Sequence, residues 1–303
     1  MRLTDSRTAG FPPLSSLWAA LALAVLASCT PARPPAAAEP ALWRIRDADS
    51  EIWLFGTVHV LRPGQHWRGP RFDEALASAG ELVLEADTGS PDQIRAEAQR
   101  NGTLPPGETL SSKLDADGRA QLQHIATTLH IDPAVLEHDR PWYAALILSV
   151  AYAASHGESS DAGVETTLLT SAHRRKMRVD FLETPEQQIL DLADLAPPDE
   201  MRFLQSTMRE IEHDDGSEGA TEAAWVQGDT AKLSALFARQ FHEAGPAYYD
   251  AVITHRNAVW ADDIARRLNG SGHSFIAVGA AHLVGPDGVI ALLRARGIHI
   301  DGP

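Results

Sequence analysis

The chain has 303 residues, and 26 Lys and Arg against 41 Asp and Glu give it a formal charge of −15. So acidic a chain argues against nucleic acid or an anionic membrane surface as partner, since both need a basic face. Its single cysteine, Cys29, excludes an intrachain disulfide and a thiolate metal cluster.

Residues 1–28 read as a signal peptide. Arg2 and Arg7 start it, an apolar run follows from Leu14 to Ala27, and Leu26-Ala27-Ser28-Cys29 closes it. The run is too short to span a bilayer core of about 30 Å as a helix. The closing tetrapeptide resembles a bacterial lipobox, which implies a lipidated Cys29 and an exported protein tethered on the periplasmic side of the envelope. Thr30, where an inner-membrane retention signal would place an acid, favours the outer membrane. Residues 29–41 are a Pro/Ala-rich tether, too poor in large side chains to fold. The domain is expected over 42–303.

The domain opens with two β-prone runs, Leu42–Arg46 and Ile52–Thr57, around a hairpin turn. A helix is predicted over Pro70–Ala79 and a short buried strand over Glu81–Glu85. The middle is mostly helical: Asp115–Leu129, Pro141–Ser155, Val164–Arg175, Pro185–Leu195, Pro198–His213 and Thr230–Phe241. Met177–Leu182 reads as a strand among them, and Asp214–Gly219 as an acidic, solvated loop. The end returns to α/β, with a long helix over Pro246–Leu268, a strand over Ser274–Val278, a helix over Gly285–Arg296 and a closing strand over Ile298–Ile300. The fold class is therefore α/β, a mixed sheet built from both ends of the chain with a large helical insertion between them.

Two strands end alike. Ile52-Trp-Leu-Phe-Gly56-Thr57-Val58-His59 runs from a buried strand into Gly-x-x-His, and Phe275-Ile-Ala-Val-Gly279-Ala280-Ala281-His282 does the same. Each glycine lets the backbone turn sharply off its strand, which leaves the histidine at the carboxyl edge of the sheet, where α/β ligand crevices form. Glu85 ends a third strand and faces the same edge. Two imidazoles and a carboxylate are the ligand set of catalytic Zn sites and of Mn or Co sites, with room for an activated water. The competing reading makes the histidines solvated caps and pairs Glu85 with an arginine.

These residues carry a family resemblance. Phe55-Gly-Thr-Val-His59, Leu82-Val-Leu-Glu85, Gly163-Val164-Glu165, Phe181-Leu-Glu183-Thr-Pro-Glu-Gln187, Arg256-Asn257 and Val278-Gly-Ala-Ala-His282 with Gly285-Pro-Asp-Gly288 resemble the TraB/GumN proteins. That group includes the TIKI-type metalloproteases and is more distantly similar to erythromycin-esterase-like and ChaN-like proteins. The resemblance implies a metal-dependent hydrolase with His59 and His282 as ligands or catalytic groups and Glu85 as third ligand or general base. Glu165 stands where aspartate is expected at least as often, and helix-dipole complementation is sufficient reason for an acid there. Arg256 either steadies an oxyanion, holds Glu85, or clamps its helix to the sheet, while Asn257 makes an inward polar contact. Thr57 either orients His59 or serves the turn, and Gly56 and Gly279 shape the two turns. His66 and Trp67 are candidates for the cleft rim.

Three functions follow. The first is a lipid-anchored metallohydrolase with Mn, Co or Zn held by His59, His282 and Glu85, acting on a peptide or small molecule, with Arg256 assisting. The second is a metal-independent hydrolase with His59 as base. The third is a non-catalytic lipoprotein that binds a metal, haem or polysaccharide. No phosphate loop, Gly-x-Ser-x-Gly elbow or His-Glu-x-x-His occurs, so those chemistries have no support.

Overall fold

Parallel pairing joins strands from opposite ends of the chain. The computed structural model describes residues 38–87, 91–213 and 217–303. The expected signal peptide, Cys29 and most of the expected tether lie outside these. Five strands, β1 (Leu42–Arg46), β2 (Ser50–Thr57), β3 (Glu81–Leu84), β4 (Arg178–Phe181) and β5 (Gly272–Gly279), form one sheet in the order β1-β2-β5-β3-β4. The β1–β2 hairpin is antiparallel and every other pairing is parallel. The mixed α/β sheet with a helical middle is therefore the observed fold. Most of the middle packs around a helical core that includes Trp142, Leu148, Leu204 and Met208.

Both faces of the sheet are covered, which explains why its central strands are apolar on both sides. On one face Phe55 and Phe275 meet Trp67, Phe72 and Trp225. On the other, Ile52, Leu54, Ile276 and Val278 pack on Trp260, Ile264 and Leu293. The register sets Thr57 opposite Gly279 and Leu84 opposite Ala277. Strands β2, β5 and β3 thus end side by side, pointing the same way.

Three expectations are corrected. Ile298–Ile300 forms no strand; the tail pairs with β1 through a single Arg44–Asp301 bridge, while Ile300 packs in the core with Trp43 and Ile45. The last helix begins at Val289, because Gly285 at φ 84° cannot join a helix and Gly288 sits at its N-cap. Of the expected loop Asp214–Gly219, residues 214–216 lie outside the described set, and helix Ser217–Val226 begins directly after them. That helix buries Trp225, whose indole N–H donates to the Gly56 carbonyl at 2.7 Å. The long C-terminal helix carries a π-helical stretch, Asp250–Thr254, between its α-helical parts Pro246–Tyr249 and His255–Leu268. Residues 38–41 lie against the domain, with the Glu39 N–H donating to Val226 O. Among the described residues no helix is long and apolar enough to cross a membrane.

Candidate functional site

The strand ends deliver their residues to one place. A methyl group added at Gly279 would lie 3.1 Å from Glu85 Oε1, 3.4 Å from His282 Cδ2 and 3.5 Å from His59 Nε2. The three side chains therefore surround one small space that only a residue without Cβ leaves open. Gly279 has φ −48° and ψ 136°, which any residue can adopt. Space, rather than backbone conformation, is what requires glycine here.

Each histidine is held from behind. His59 Nδ1 lies 2.7 Å from Glu165 Oε1, and that same carboxylate oxygen accepts the Thr57 hydroxyl. Glu165 reaches them because Gly163 packs against the His59 carbonyl, where a Cβ would clash, and the Val164 N–H donates to Val58 O. The motif Gly163-Val164-Glu165 is thus a socket for the His59 turn. The partner charge of Glu165 raises the His59 pKa to about 9, against the opposing effect of burial. The His59 side chain is 65 % exposed, so solvent screens part of that attraction.

His282 is buried, and its ring lies 4.5 Å from that of Trp260. Its Nδ1 lies 2.8 Å from Asn257 Oδ1, and the Asn257 amide donates to Asp287 O at 2.8 Å. With the Asn257 amide so fixed, its oxygen must accept, so His282 carries its proton on Nδ1 and presents the Nε2 lone pair to the site. Burial holds His282 neutral, its pKa lowered to about 3. His282 Nε2 stands 3.8 Å from Glu85 Oε1.

Glu85 is clamped. Its Oε1 accepts the Gly279 N–H, and its Oε2 accepts Arg256 Nη2 at 2.9 Å and Gln188 Nε2 at 3.3 Å. Burial opposes its charge, yet the neighbouring histidines, Arg256 and the Gly279 N–H hold it at about 2. Since His282 is neutral, the standing positive partners at neutral pH are His59 and Arg256. Arg256 also donates to Glu183 through Nε at 3.1 Å and Nη2 at 2.5 Å, to Val252 O through Nη1, and lies over Trp260. Of the roles open to it in the sequence, holding Glu85 is the one its geometry displays.

All four principal residues, His59, Glu85, His282 and Arg256, and all five supporting ones, Gly56, Thr57, Glu165, Asn257 and Gly279, thus fall at or beside one cluster. Gly56 packs against Ala280, joining the two turns. Trp67 is corrected: it is 5 % exposed and belongs to the aromatic core with Phe55, Phe72 and Trp225, not to a cleft rim. His66 is exposed on the loop before helix Pro70–Ser78. Glu183, Gln188 and Asp287 were not foreseen as site residues. Glu183 comes to the site through the β3–β4 pairing, with its N–H donating to Glu85 O at 2.9 Å.

The donor set suits a divalent cation in kind. Two imidazoles supported through Nδ1 and one carboxylate face a space that a methyl would fill, with the outer partners that metal-bound histidines usually have. Among the described residues, however, no group of three or more His, Cys, Asp or Glu is already arranged to hold a metal ion.

The model of the TraB/PrgY/gumN family matches residues 41–301. A protein of Escherichia coli (strain K12) named "Uncharacterized protein YbaP" is 26% identical over 244 residues, 80% of this chain and 87% of its own. An uncharacterized protein of Treponema pallidum (strain Nichols) is 24% identical over 276 residues, 85% of this chain and 81% of its own. No solved structure matches.

Proposed function

The chain belongs to the TraB/PrgY/gumN family, and from that premise we propose that it is a metal-dependent hydrolase cleaving an amide or ester, with a peptide as the leading substrate class. The observation that supports this most is the shared space at Gly279, faced by His59, Glu85 and His282. His59, His282 and Glu85 would hold Mn, Co or Zn. Bound there, the ion would acidify a water and polarise the substrate carbonyl. Glu165 keeps the His59 ring oriented and accepts its Nδ1 proton. Asn257 fixes the His282 tautomer, and Trp260 shields that ring from water. Arg256 and the Gly279 N–H set the Glu85 carboxylate, with Glu183 completing the pairing of Arg256. The test is hydrolysis of a fluorogenic peptide library by the purified chain. Activity removed by a chelator and restored by one of the three metals supports the reading. Activity indifferent to chelation contradicts its metal part, and no activity with any metal contradicts the whole.

One observation favours a second reading, hydrolysis without metal. His59 and Glu165 form an acid–base pair at 2.7 Å. It calls for chelator-insensitive turnover that falls in Glu165→Gln.

The proposal extends to place: an exported chain, lipid-anchored at Cys29 on the periplasmic side of the outer membrane. The lipobox-like Leu26-Ala27-Ser28-Cys29 supports it. Fractionation tests it, since Cys29→Ala should release the chain from the membrane fraction. A variant that stays membrane-bound would refute the anchor.

A further inference from the structure

A second cavity adjoins the His282 turn. It has a volume of about 510 Å³ and lies between helices Thr230–Ala244 and Pro246–Tyr249 and the segment Ala281–Pro286. Its walls include Phe237, Phe241, Tyr249 and Val284, a lining of the size and character that takes a drug-sized apolar group. Two cationic or protonatable side chains, Arg202 and His242, also line it, and both are exposed. Arg202 lies across Gly245, where a Cβ would meet its Cδ.

The cavity and the candidate site share structure. Along the turn Gly279–His282, Ala280 packs on Gly56, Ala281 lines the cavity, and His282 faces Glu85. A hydrogen-bonded path also connects them. Tyr249 donates its hydroxyl to Asp287 at 3.0 Å, the Asp287 carbonyl accepts from Asn257, and Asn257 holds His282 Nδ1. Two residues of the cavity wall are therefore linked to the His282 ring, Tyr249 through Asp287 and Asn257 and Ala281 as its neighbour in the turn.

We propose that this cavity is the specificity pocket of the hydrolase, taking a large aromatic or branched aliphatic side chain of the substrate, with Arg202 and His242 meeting a negative charge beside that side chain. The assignment of a substrate to the pocket rests on the hydrolase reading above; the pocket's binding chemistry is testable without it.

The experiment has two arms on the purified chain. In the first, fluorescence titration compares anionic 1-anilinonaphthalene-8-sulfonate with its uncharged analogue N-phenyl-1-naphthylamine. The expected result is one saturable site, up to about fivefold tighter for the anion, an advantage that Arg202→Ala removes. Ala238→Trp, an exposed helix position at the mouth, should weaken both probes at least tenfold without lowering the melting temperature. His59→Ala should leave both affinities as they are. Binding that survives Ala238→Trp at full strength overturns the pocket. In the second arm, fluorogenic peptides differ only in Gly, Leu or Phe beside the cleaved bond. The pocket calls for kcat/KM rising about tenfold or more from Gly to Phe, with the rise lost in Ala238→Trp. Turnover abolished by His59→Ala yet indifferent to side-chain size overturns the pocket and leaves the hydrolase standing. Probe binding that obeys the first arm with no turnover of any peptide overturns the hydrolase and with it the substrate assignment, and leaves only the cavity's binding of an apolar anion.

Discussion

Gly279→Ala separates the space at the site from the stability of the fold. The backbone at Gly279, φ −48° and ψ 136°, suits alanine, so losing glycine's freedom in the unfolded chain would stabilise by about 0.4–1 kcal/mol. Against this, the new methyl would stand 3.1 Å from Glu85 Oε1, a contact some tenths of an ångström too tight. Glu85 cannot swing away freely, because Arg256 and Gln188 hold its other oxygen. Overpacking of this kind costs about 1–3 kcal/mol, so the net loss stays below about 2.5 kcal/mol, at most roughly 10 °C in melting temperature for a domain of this size. Function should respond quite differently. The methyl occupies the space where His59 Nε2, Glu85 Oε1 and His282 meet, so turnover should fall at least about 100-fold, roughly 2.7 kcal/mol of barrier. Calorimetric melting and the peptide assay on the same preparation decide it. A variant that melts like wild type and keeps its activity would show that the space is not used. One that unfolds more than 10 °C lower would show that the glycine serves packing alone.

Two further outcomes follow from the clamp and the pairings. Arg256→Ala leaves Glu85 and Glu183 buried without their shared cation, a loss of about 3–5 kcal/mol; a melting temperature unchanged within 2 °C would contradict the buried pairings. In the metal-free chain, histidine NMR should place the His59 midpoint above the ordinary 6.5, raised by the Glu165 charge, and Glu165→Gln should return it toward 6.5. A raised histidine pKa means that this pair stabilises the fold fully below pH 6.5 and that the contribution fades as pH rises through the raised midpoint. Exposure of the ring limits it to about 1 kcal/mol. A midpoint near 6.5 in wild type would remove the His59–Glu165 ion pair.

Much of the site was legible because it is written at strand ends. An apolar run followed by Gly-x-x-His fixes both the end of a buried strand and a polar residue just beyond it, and the run Leu82-Val-Leu-Glu85 does the same for the carboxylate. Parallel pairing then follows from the α/β pattern, and with it the meeting of His59, Glu85 and His282. What pairing order decides was not legible. Glu183 joins the site because β4 lies beside β3, which nothing local in Arg178–Phe181 announces. Glu165 offered a sufficient local explanation at a helix start, and only the docking of Gly163 on His59 shows its larger role. Trp67 misled for a related reason: a tryptophan after Pro63-Gly64 looks like a rim residue until helix Pro70–Ser78 brings Phe72 against it. The π-helical stretch before Arg256 has no signature in the composition of Asp250–Thr254.

The most direct test of the central claim is the metal content of the purified chain by plasma mass spectrometry, wild type beside His59→Ala and His282→Ala. The account predicts near-stoichiometric Mn, Co or Zn in wild type and its loss in both variants, with all three proteins folded. Folded wild type that retains none of the three metals when each is offered would contradict it.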